Sequence, residues 1–151
     1  MRQHRVEQEK GAELLEFAFV LPLLLLICLG TIEFGRAYYT YNILAKSLRD
    51  GARYAATSTT SSTGTLDSNA ITNTKNLVVY GNIAGSGSKI IADLQTSQID
   101  VAQSVVAATE QYTTVSAAYV YSPLFSLIIP SNLTLRPSVK MHFIGRITFP
   151  S

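Results

Sequence analysis

Residues 11–32, GAELLEFAFVLPLLLLICLGTI, constrain this chain more than any other stretch. After Gly11 come two carboxylates, Glu13 and Glu16, and then residues 17–32 run without a charge. That is 16 residues, or 19 counted from Leu14 with Glu16 inside. One membrane-crossing helix needs about 20 mostly apolar residues, so the run suffices if its first turn sits among lipid headgroups. A buried helix of a soluble core is the competing reading, but such a helix usually keeps a polar face. Leu23, Leu24, Leu25, Leu26 and Ile27 leave none. The sequence therefore predicts a membrane span over about residues 14–34.

Beyond that span, 151 residues hold one modest domain. The net charge of +2 is too weak and too scattered for a nucleic-acid surface. Cys28 is the one cysteine and lies in the apolar run, so no intrachain disulfide forms. His4 and His142 stand at opposite ends of the chain, which leaves metal and histidine-based catalytic sites almost no raw material. There is no P-loop, and no GxGxxG follows a strand. Asp93 and Asp100 read as turn and surface residues. These features predict a chain that is not an enzyme, with no cofactor, no metal and no evident small-molecule substrate.

Residues 1–10, MRQHRVEQEK, are polar and mixed in charge. A cleaved secretory signal would place a small-residue site beyond the apolar core. Here Glu33, Arg36 and a tyrosine cluster follow at once, which suits a retained helix. Orientation is open on composition: Arg2, Arg5 and Lys10 precede the run, while Arg36, Lys46 and Arg49 follow it.

Tyr38, Tyr39 and Tyr41 form an interface belt past the apolar run. From Tyr41 a stripe of Leu44, Leu48, Ala52 and Ala55 keeps a helical period, with Lys46, Asp50 and Arg53 on another, solvated face. One helix is thus expected from about Ala12 to Thr57, roughly 69 Å long at 1.5 Å per residue. Pro22 inside the span predicts a local kink, which a membrane helix tolerates. Gly35 and Gly51 each weaken the helix by about 1 kcal/mol against alanine; close approach of another helix is one reason to keep them.

A polar loop at residues 57–65 ends this helix, and Asp67 or Ser68 can cap a short second one carrying Ala70, Ile71, Leu77 and Val78. Then the period changes to two. Strands are expected at residues 98–101, at 113–121 with Val115, Ala117, Tyr119 and Tyr121 on the apolar face, and at 139–149. Pro123 stops the second of these. Between the last two lies an apolar loop, Leu124, Phe125, Leu127, Ile128 and Ile129, that is either core or contact surface. The predicted architecture is α+β: a long N-terminal helix whose first half spans a membrane, with a small antiparallel sheet packed on its second half.

GAELLEFAFVLPLLLL (11–26), IEFGRAYYTYN (32–42) and LRDGARYAA (48–56) closely resemble the TadE-like minor pseudopilins of tight-adherence (Flp) pilus systems. Residues 119–124 and 138–143 look like the less specific C-terminal half of that pattern. The resemblance implies a leader at 1–11, cut by prepilin peptidase between Gly11 and Ala12 on the cytoplasmic side, a helix over 12–57 and an extracytoplasmic domain over 58–151. It implies that Glu16 neutralises the new α-amine of Ala12 in a neighbouring subunit, with self-pairing one helical turn away in competition. Glu13 is expected to favour the helix N-terminus. The implied partners are prepilin peptidase, other pilins and pseudopilins, the inner-membrane assembly platform and membrane lipid. The alternative function is an unprocessed, membrane-anchored extracytoplasmic binding module.

Overall fold

The computed structural model describes residues 2–58, 65–107, 110–125 and 133–144. Its spine is α1, Arg2–Thr57, a helix of 56 residues, about 84 Å long at 1.5 Å per residue. It starts ten residues before the expected Ala12. The physical reason is local: Arg, Gln, Glu and Lys are strong helix formers, and a single Gly11 costs only about 1 kcal/mol. Pro22 lies inside α1 without ending it.

From Glu33 onward one face of α1 is covered. Ala37, Leu44, Leu48, Ala52 and Ala55 are buried there, which is the expected stripe except at its first position. Tyr41 remains 41% exposed, because its ring borders a groove with Leu133 and Leu135 instead of entering the core. Lys46, Asp50 and Arg53 are exposed, as a solvated face requires.

The second helix, α2, spans Ser68–Tyr80. Asp67 takes the N-cap position with extended backbone, yet its side chain makes no capping hydrogen bond. Gly81 closes the helix in the left-handed region (φ 73°), its N–H donating to the Leu77 carbonyl at 2.9 Å, a conformation that glycine adopts without a Cβ penalty. The buried face is Ala70, Thr74, Val78 and Val79. Thr74 fits there because its hydroxyl donates to the Ala70 carbonyl at 2.7 Å. Gly51 explains how close the two helices come: a Cβ built on it would stand 2.5 Å from Val78 Cγ2. At Gly35 none of the described residues comes within 4 Å of a built Cβ, so no contact among them requires that glycine.

Among the described residues five strands follow: β1 (Ile99–Ala107), β2 (Glu110–Ala117), β3 (Tyr119–Val120), β4 (Thr134–Leu135) and β5 (Ser138–His142). Strands β1, β2 and β5 form an antiparallel sheet in that order, and β3 pairs with β4 in a second, two-stranded one. Val101, Val115 and Val139 stand in register across the larger sheet. The first strand runs well past the expected residue 101, with a bulge between Val105 and Ala107. The expected strand at 113–121 is broken at Ala118, whose N–H turns to the Gln98 carbonyl at 2.9 Å before the chain pairs with β4. Even so, Val115, Ala117, Tyr119 and Tyr121 are all buried. Of the strand expected at 139–149, pairing ends at His142, and Ile147 and Phe149 lie outside the described residues.

The sheet packs on α1 through β2 and β5 and on α2 through β1. Leu44, Leu48, Val78, Leu94, Ile99, Val115 and Tyr121 meet in the resulting core. Beyond β5, the Ile144 N–H donates to the Ala56 carbonyl at 2.8 Å and ties the chain back to the end of the spine. The architecture is α+β, a small antiparallel sheet carried on a helical spine.

Candidate functional site

Beyond Glu16, α1 is uncharged and largely apolar on every side as far as Ile32, and the described residues cover little of it. An 18-residue window reaches a mean hydropathy of 2.4 with none of it buried, which makes this helix a candidate membrane span. A core helix of a soluble protein would be mostly buried. Leu23, Leu24, Leu25, Leu26 and Ile27 are consecutive and so point all the way round the helix, and all are exposed. Cys28 is a free, exposed thiol within the same stretch.

Glu13 and Glu16 are exposed on α1 just before the apolar run. Ala12 and Glu16 are four residues apart on one continuous helix, and so lie on the same face one turn apart. Gly11 is a helical residue of α1. Tyr38, Tyr39 and Tyr41 are exposed past the run, but they do not form a uniform ring. Tyr38 and Tyr41 join Phe34, Ala37, Leu133 and Leu135 around a groove of about 180 Å³, while Tyr39 lies outside its lining.

The feature that sequence reasoning missed is at the junction between the apolar run and the domain. Glu33, the first residue after the apolar run, is 0% exposed. Its Oε1 accepts hydrogen bonds from the Tyr121 hydroxyl at 2.7 Å and the Leu124 N–H at 3.2 Å. Arg36 Nη2 stands 3.4 Å from the same oxygen and also donates to the Ser122 carbonyl. The Arg36 guanidinium lies 5.0 Å from the centroid of the Tyr121 ring. Among the described residues Glu33 Oε2 is buried without a partner. A charge taken out of water is costly unless paired and hydrogen-bonded, so three donors converging on one oxygen are what let this carboxylate lie under the domain.

A signal for this latch was present in the sequence. Glu33 and Arg36 are three apart on a helix, the spacing at which side chains meet, and Tyr121 stands just before the Ser-Pro that ends the strand. What the sequence lacked was the pairing across 88 residues.

Tyr121 feels the arrangement in its own acidity. Burial raises its phenol above the ordinary 10.0, the hydrogen bond to Glu33 raises it further, and Arg36 pulls the other way. Burial also raises Tyr119, with help from the Asp93 charge.

A second cavity, about 310 Å³, opens between α1 and α2 and is lined by Ile43, Lys46, Ser47, Asp50, Leu77, Gly81 and Ile90. Among the described residues no group of three or more His, Cys, Asp or Glu converges as metal ligands. His142 lies on the solvent side of β5, edge-on to Tyr112 with ring centroids 5.3 Å apart.

No curated protein and no solved structure matches the chain. The family model described as TadE-like protein matches residues 11–53. The chain is thus TadE-like over residues 11–53, the segment that holds the apolar run, Glu33 and Arg36.

Proposed function

We propose that this chain is a minor pseudopilin, a structural or assembly component of a Tad-type (type IVb-like) pilus. Prepilin peptidase cuts it after Gly11 on the cytoplasmic side, and Ala12 becomes the mature N-terminus. The apolar half of α1 anchors it as a single pass in the cytoplasmic membrane, with the α+β domain extracytoplasmic. From there the helix packs beside those of other pilins and pseudopilins at the assembly platform. Glu16 neutralises the α-amine of a neighbouring Ala12, and Glu13 supports the new helix start.

The observation that carries this reading is an apolar stretch with no covered face, continuous with the helix on which the domain is built, inside a TadE-like segment. Such a rod has lipid or like rods as its natural surroundings, since packing between helices in lipid comes from close side-chain fit. N-terminal sequencing of protein recovered from membranes and from sheared filaments tests it. Ala12 as first residue in both fractions is the expected result; Met1 retained throughout overturns it.

The second reading is a stably anchored extracytoplasmic binding module that is neither cut nor assembled. The cavity between α1 and α2, with Lys46 and Asp50 at its wall, is the feature that favours it. An intact-chain mass in the membrane fraction, with none in filaments, selects that alternative.

A further inference from the structure

The Glu33 latch fixes a depth. Ile32 is the last residue of the apolar run, and Glu33 is the next. The Leu124 N–H is held 3.2 Å from the Glu33 carboxylate, so the loop after β3 touches the helix where the run ends. With the turn from Leu14 to Glu16 at the opposite headgroups, the uncharged residues 17–32 cover about 24 Å at 1.5 Å per residue, most of the roughly 30 Å hydrocarbon core of a bilayer. Leu124 therefore stands at the boundary between hydrocarbon and headgroups.

At that level the molecule shows apolar side chains outward. Leu124 is 66% exposed, Phe125 38% and Phe34 70%. The apolar groove that starts at Phe34 ends at Tyr41, about 13 Å beyond Ile32 by helical rise, within and just past the headgroup layer. The carboxylate that follows the run, Glu33, is turned under the domain and covered. An exposed apolar patch in water demands a partner, and this one is continuous with the face of the span itself.

We propose that Leu124 and Phe125 seat in the interfacial layer of the bilayer that α1 crosses, so that the domain rests on the lipid surface and does not stand off it. The lipid is recognised by its chemistry, an acyl-chain and glycerol boundary that takes aliphatic and aromatic side chains. This rests on reading the apolar half of α1 as a membrane span.

The chain contains no tryptophan, so Leu124→Trp in the full chain creates a single tryptophan, which red-edge excitation selects over the eight tyrosines. The probe is phosphatidylcholine vesicles brominated at either shallow or deep acyl positions. Leu24→Trp reports on the span. Asn69→Trp is exposed on α2, which reaches Tyr54 through Asn73 and so lies at the far end of the spine. Leu124→Trp is expected to lose roughly half its emission to shallow bromines and less to deep ones, as an interfacial indole does. Leu24→Trp is expected to be quenched most by deep bromines, and Asn69→Trp by neither. If Leu124→Trp and Phe125→Trp both behave like Asn69→Trp while Leu24→Trp is quenched, the seating is wrong and the span stands. A Leu24→Trp chain untouched by either lipid overturns the span and the seating together. Blue-shifted Leu124→Trp emission that neither lipid quenches assigns the patch to another copy of the chain and also overturns the proposal.

Discussion

At the residue scale, the molecule turns on Glu33. A carboxylate with no exposed surface holds its place through Tyr121, the Leu124 N–H and Arg36. Removing the Tyr121 hydroxyl leaves a buried charged acceptor one donor short, which is worse than losing an ordinary surface hydrogen bond. Tyr121→Phe is expected to lower the thermal midpoint of the full chain in detergent by roughly 5 °C or more, read by circular dichroism. Val120→Thr, at an exposed neighbour, is expected to leave it unchanged. The tyrosines also set an alkaline limit. Burial raises both Tyr121 and Tyr119 above 10.0, so the folded chain keeps their protons where the unfolded chain gives them up. Their contribution to stability is complete below pH 10 and is lost as pH rises through the raised folded values. A denaturant titration is expected to show stability falling above pH 10, with a shallower fall in Tyr121→Phe.

At the scale of elements, Gly35 and Gly51 of α1 separate cleanly. Both were expected to weaken the helix, and the sequence offered close helix approach as one reason for keeping them. The structure supplies that reason for Gly51 alone, where Val78 Cγ2 stands 2.5 Å from a built Cβ. Val78 is β-branched on a helix, with little rotamer freedom to withdraw. Gly51→Ala thus gains about 1 kcal/mol in helix propensity and meets overpacking of about 1–3 kcal/mol. The expected net result is a loss of stability of about 1 kcal/mol, reversed in sign when Val78→Ala makes room, measured as a double-mutant cycle. Gly35→Ala has open space and is expected to stabilise the isolated chain. If Gly35 is kept for packing against a neighbouring subunit, that variant will be stable and yet assemble poorly, which filament yield against melting temperature tests. The strands were legible by their alternation and not by their ends. Val115, Ala117, Tyr119 and Tyr121 alternate without interruption in sequence, but pairing partners change at Ala118, and no residue there signals the change.

At the scale of the whole molecule, a bare apolar rod and a packed domain share one helix, and each half calls for a different experiment. In the rod, Glu16 is exposed and precedes an uncharged stretch. Glu16→Ala is expected to leave the cut after Gly11 largely intact and to reduce incorporation, seen as mature chain accumulating in membranes and missing from sheared filaments. Unchanged filament content would remove the role given to Glu16. The sequence by itself determined the apolar run, the helical stripe of Leu44, Leu48, Ala52 and Ala55, the α+β class and the TadE-like resemblance, because each is a local pattern set by the period of one element. Tertiary structure alone decided that Glu33 would be buried, that Tyr41 would border a groove, that α2 would meet α1 at Gly51, and that Leu124 would be brought to the end of the apolar run. Those outcomes depend on which surfaces meet across long separations in the chain, such as Glu33 with Tyr121, and a one-dimensional pattern carries no distance between them.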